Sequence, residues 1–141
     1  MDRLISTTRE KLLANKIGIL STENLVAWCD GEISRMEQPP FFLIEISMGQ
    51  KPREPDQLDL VKNIANESDC AGLIEILSAQ FKNGQMTLID LHDVLYKLAL
   101  LSSGELSHKL HWAADEASLI DQGIKSSSTD DIFNVLHELS S

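Results

Sequence analysis

Apolar residues recur every three to four positions along nearly all of this 141-residue chain, and that period limits its fold more than any other feature. Stretches near 3–14, 22–37, 56–66, 70–82, 88–102, 105–121 and 129–139 all carry it. A strand needs a neighbour to pair with. Only Pro39-Pro40-Phe41-Phe42-Leu43-Ile44-Glu45-Ile46-Ser47-Met48-Gly49 has strand-like composition, and no second run of that kind is available to it. Pro40 suits a first helical turn and Gly49 a stop, so a short buried helix is the better reading. The pattern predicts an all-α fold: a single helical domain over residues 1–141, with about seven to eight helices and enough chain to bury a core.

Punctuation agrees with the period. Thr87 suits a cap, with Asp90 as third helical residue and Met86 positioned to staple onto Leu91. Ser21 or Thr22 suits the second helix, Asp69 the fifth, over 70–82, and Ser128 or Thr129 the last. Gly49, Gly84, Gly104 and Gly123 each stand close after a periodic stretch and read as stops. Lys51-Pro52-Arg53-Glu54-Pro55 is the one proline-rich connector.

Helical arithmetic singles out residues that do not fit a plain inside–outside division. The stretch Leu88–Leu101 is apolar almost all round apart from Asp90, Asp93 and Lys97, which predicts the central core helix. His92 falls on its apolar side, where a core histidine satisfied by one hydrogen bond is the expectation. In 105–121, Leu106, Leu110, Ala113, Ala117 and Ile120 form an inward stripe, while Trp112 points away among Glu105, His108, Asp115 and Glu116. Either another element covers Trp112, the last helix being the candidate, or it anchors a partner, since exposed Trp is enriched at binding hot spots. Glu105, His108, His111 and Asp115 share one broad face at a spacing that suits chelation, but the HExxH order is missing and a solvated face is the plainer reading. In the second helix, Glu23, Asp30 and Glu37 recur every seven residues as an outer acidic stripe. Glu32 falls among inner residues, with Arg35 as its obvious ion partner, and Trp28, Asp30 and Glu32 would form the rim of a recognition surface.

Charge and missing motifs narrow the function. Twenty-two acidic residues against 12 basic ones give a net charge of −10, the wrong sign for a chain that wraps nucleic acid and the right one for a basic partner. No GxSxG, GxGxxG or GxxxxGK[ST] sequence is present, and Cys29 and Cys70 lie far from each other and from any histidine. No catalytic residue and no cofactor is therefore assigned, and a metal-dependent enzyme using Glu105, His108, His111 and Asp115 is the least favoured alternative. The amino terminus lacks the apolar core of a secretory signal and no run is long enough to span a membrane, so a cytoplasmic location with reduced, buried thiols is expected.

The residues Asn24-Leu25-Val26-Ala27-Trp28-Cys29-Asp30-Gly31-Glu32-Ile33, followed by Pro39-Pro40-Phe41-Phe42-Leu43-Ile44-Glu45-Ile46-Ser47, resemble small helical bacterial immunity proteins encoded beside contact-dependent or polymorphic toxins. The likeness consists of a W-x-D-x-x-I helix, a short gap, then proline and a hydrophobic run. It implies a cytoplasmic protein that binds one toxin domain and blocks it, with no catalytic residues to transfer. A basic nuclease-like toxin domain would suit the acidic surface. Two faces qualify as the partner site: Glu23, Trp28, Asp30, Glu32 and Glu37, or Glu105, Trp112, Asp115 and Glu116. The other reading is a helical scaffold or regulatory subunit that uses the same surface for another protein.

Overall fold

Side-chain caps and left-handed stops set most of the helix limits in the computed structural model, which describes residues 1–123 and 129–140. The described residues form seven α-helices and one 3-10 turn, with no strand, and the fold is all-α. The chain divides into two compact units, 1–63 and 64–141.

The first unit holds α1 (Asp2–Ile17), α2 (Thr22–Ser34), α3 (Phe41–Ser47) and the 3-10 turn Asp56–Leu58. Gly18, which the period alone did not mark, ends α1 at φ 93°, a conformation costly for any residue with a Cβ. Ser21 caps α2 by accepting the Asn24 N–H at 3.1 Å. That helix stops at Ser34, short of the expected residue 37, because the Ser34 hydroxyl and the Arg35 Nε–H both turn back to the Gly31 carbonyl. Glu37 is therefore outside the helix, and Glu23, Asp30 and Glu37 do not form one helical stripe. The ambiguous run at 40–48 is a helix, as expected, and sends Phe42, Leu43 and Ile46 into a core with Leu25, Cys29 and Leu58.

The helix expected over 56–66 is absent. Asp59 Oδ1 accepts the Val61 and Lys62 N–H groups, and the Asn63 amide donates to the Asp56 and Asp59 carbonyls. Arg9, itself only 9% exposed, donates from α1 to the carbonyls of Gln57 at 2.6 Å and Asn63 at 3.0 Å. Side chains thus satisfy the backbone groups that a helical ladder would have used.

The second unit holds α4 (Glu67–Lys82), α5 (Leu88–Leu100), α6 (Gly104–Asp121) and α7 (Thr129–Ser140). Asp69 does not cap α4; Asn66 does, and Asp69 is the third helical residue of a reciprocal capping box. The Thr87–Asp90 box on α5 matches expectation, each donor lying 3.1 Å from its acceptor. The two hydrogen bonds from Thr87 hold the Asp90 carboxyl below its usual range. Gly104 opens α6 rather than closing α5, which ends at Leu100. Ser128 as a cap for α7 lies outside the described residues.

Helix α5 is the core helix: Leu91, Leu95 and Leu98 are fully buried. It packs along α6, whose Ala113, Ala114 and Ala117 form a small-residue face that lets the two backbones approach closely. His92 Nδ1 lies 2.8 Å from the Ala114 carbonyl, and because that oxygen only accepts, Nδ1 carries the proton. Helix α7 packs on α4 and α6 through Ile132, Phe133 and Leu136.

Candidate functional site

The two faces read from the sequence fall in different units, and the structure treats them differently. In the first unit, Trp28 and Glu32 come together with Met36 of the same region, Leu4 and Thr7 of α1, and Met1 just before that helix, around an open groove of about 380 Å³. Trp28 is half-buried, with Lys11 Nζ 5.8 Å from its ring centroid. Glu32 pairs with Arg35 at 3.3 Å, the partner its spacing pointed to. Asp30 is turned aside: its carboxylate accepts from the Ser47 hydroxyl and so ties α2 to α3. Glu23 sits exposed in the first turn of α2, where the helix dipole favours an acid, and Glu37 stands beyond the other end. Only Trp28 and Glu32 of this set therefore share a surface feature, and nearby cations already answer both.

The second face is more open. Trp112 keeps 39% of its surface exposed, and Phe133 of α7 is turned to α4, where it meets the Phe81 ring at 5.4 Å, under Lys82. Glu105 and Asp115 are exposed, Glu105 with Lys109 Nζ at 3.8 Å. Glu116 departs from expectation. It lies about 40° round the helix from Trp112 and about 60° from Ala113, and it falls on the inner side, 7% exposed and out of a partner's reach.

A second large aromatic of this unit, not marked by the sequence pattern, is also exposed. Tyr96 of α5 is 45% exposed, stacked beside His92 at 6.1 Å between centroids and met edge-on by His111 of α6 at 5.5 Å. Ile89 and Leu100, a helical turn or two along α5, are also exposed. The signal was available: α5 is apolar all round, so part of that perimeter had to face outwards. Among the described residues no group of three or more His, Cys, Asp or Glu is placed to hold a metal ion, and His111 is engaged with Tyr96.

Charge separates the faces further. Residues 1–63 carry ten acids and eight bases, whereas residues 64–141 carry 12 acids and four bases, so −8 of the total −10 belongs to the second unit.

The thiols are not poised for nucleophilic chemistry. Burial foremost, with Asp30 and Glu32 adding to it, pushes Cys29 up to about 11. Burial does the same for Cys70, to about 11, against a hydrogen bond with Ser102 that acts to lower it. Folded protein is therefore expected to resist alkylation at pH 8 and to react fully in denaturant; fast native labelling of either thiol would contradict its burial. Because the unfolded thiols ionise near 9.0 and the folded ones near 11, the unfolded state loses protons first as pH rises. Stability should fall across that window by up to about 1.4 kcal/mol per pH unit per thiol. A urea midpoint that is flat through this range in the wild type would refute the assignment.

No helix among the described residues is long and apolar enough to cross a membrane. No family model, curated protein or solved structure matches the chain.

Proposed function

We propose that this protein works by binding another protein, and that its partner is a basic toxin domain which it neutralises by direct contact, as an immunity protein does. The observation that carries this reading is a pair of exposed aromatic side chains on the acidic unit: Trp112, 39% exposed on the α6 face that also carries Glu105 and Asp115, and Tyr96 of α5, 45% exposed, on a unit of net charge −8. Aromatic side chains give large contact area at small entropic cost, and surrounding charge of one sign draws in a partner of the other. The acids would stand in for the phosphates that a basic cleft otherwise holds. The W-x-D-x-x-I likeness at Trp28, Asp30 and Ile33 agrees with this reading. A scaffold or regulatory subunit would use the same surface for another basic protein.

The experiment is co-expression with the product of the adjacent reading frame, scored by cell survival and by a co-eluting complex. With that complex in hand, Glu105→Lys together with Asp115→Lys should slow association about tenfold at low salt while changing dissociation little. The same reversal at Glu23 and Glu37 should change association less than twofold, since those residues sit on the near-neutral unit. A toxin neighbour that kills regardless of this protein would overturn the immunity reading. Equal association rates for both double variants would remove the α6 face from it.

A further inference from the structure

The first unit also contains a cavity, independent of the partner face. Leu12 of α1, Leu58 at the end of the 3-10 turn, and Leu60 and Val61 beyond it enclose about 260 Å³, with Lys16 and Lys51 at the rim. Leu58 is 3% exposed and forms an apolar floor, while Val61 is 71% exposed and leaves the mouth open. Two lysines on one small apolar opening stand out in a chain with only 12 basic residues against 22 acids. The one acid in the lining, Asp59, is already committed: it accepts the Val61 and Lys62 N–H groups and has Lys62 Nζ at 3.9 Å. Asn15, also at the rim, spends its amide N–H groups on the Leu20 carbonyl and the Thr22 hydroxyl. The rim thus carries two ammonium groups against one carboxylate, and Asp59, which Lys51 also attracts, divides its charge between Lys51 and Lys62 and leaves Lys16 the less opposed cation.

We propose that this cavity binds a small carboxylate with an apolar body, a medium-chain or aromatic monocarboxylate, with the chain or ring on Leu12, Leu58 and Leu60 and the carboxylate between Lys16 and Lys51. The volume falls just below the range of about 300–1,000 Å³ typical of drug-sized ligands, so the occupant is smaller than those. Ammonium groups on flexible stems serve a carboxylate as point charges and need no bidentate geometry. Burying the apolar body supplies the affinity and the lysines choose the charge.

Octanoate, octanol and octylammonium are the probes, titrated into the full chain and followed by backbone amide NMR. Octanoate should give saturable shifts confined to residues near 12–16, 51–52 and 58–61, and octylammonium should give none there. The Lys16→Glu, Lys51→Glu double variant, altering two exposed side chains, should weaken octanoate binding at least about tenfold with the fold intact. A second variant, Leu60→Phe, should block octanoate by filling the space. Octanol binding as tightly as octanoate would overturn the role of the lysines. Absence of saturable shifts at low-millimolar octanoate, or unchanged affinity in both variants, would overturn the site itself.

Discussion

Tyr96→Ala combined with Trp112→Ala is expected to weaken partner binding by about 3 kcal/mol, roughly 150-fold, while changing folding stability by less than about 1 kcal/mol. Both side chains keep about two-fifths or more of their surface in solvent, so truncation leaves no sealed cavity. Tyr96 packs laterally on the His92 and His111 rings rather than inward, and the core positions of α5 belong to Leu91, Leu95 and Leu98. Calorimetric titration of the double variant, paired with thermal unfolding of the free protein, separates the two roles. A steep loss of melting temperature with unchanged affinity would assign both residues to folding and remove the central support for a binding face. Tyr96→Phe is the companion measurement: it keeps the ring contacts and tests whether the hydroxyl matters.

The largest expected loss of stability comes from Arg9→Met, at about 3 kcal/mol. Methionine preserves the buried stem but removes both donors, leaving the Gln57 and Asn63 carbonyls without the charged partner that holds them at 2.6 and 3.0 Å. The segment they belong to has only short main-chain turn bonds, from Leu58, Asp59 and Asn63, rather than a continuous ladder, so the effect should concentrate there. Proteolysis should accelerate within 56–63, and urea should unfold the variant at a lower midpoint. Arg9→Lys should fall between, because one ammonium cannot reach two divergent carbonyls as a guanidinium fork does. A change below about 0.5 kcal/mol would show that the Asn63 and Asp59 side-chain bonds suffice to hold the segment.

Arg9 also shows where reading a sequence stops. Its spacing in α1 gives no hint that it reaches residues 48 and 54 positions away. The apolar period over 56–66 is real, yet Asp59 and Asn63 bond to the local backbone and turn it into loops, a contest between side-chain and main-chain acceptors that periodicity does not see. Elsewhere local chemistry was enough. The Thr87–Asp90 box and the Ser21 cap are written in adjacent residues, and they appear where their spacing puts them. The cap of α4 is Asn66, one turn before Asp69, because the two satisfy each other and a capping box has two polar ends that look alike in sequence. For the candidate faces, angle alone placed Trp112 outside but misjudged Glu116, which lies on the boundary where packing decides. Nothing in the period marks Tyr96, because an all-apolar helix hides its own exposed side.

The uneven charge of the two units has a cost as well as a use. Eight excess negative charges on 78 residues repel one another in the folded state, while the first unit is nearly neutral. Added salt relieves that internal pressure and in the same stroke dims the long-range pull on a basic partner. Ionic strength therefore acts on this molecule as a lever with two arms, one lifting the cohesion of the second unit and the other lowering the rate at which the proposed basic partner would be captured. This chain's share of both effects is set by where its 22 acids were placed.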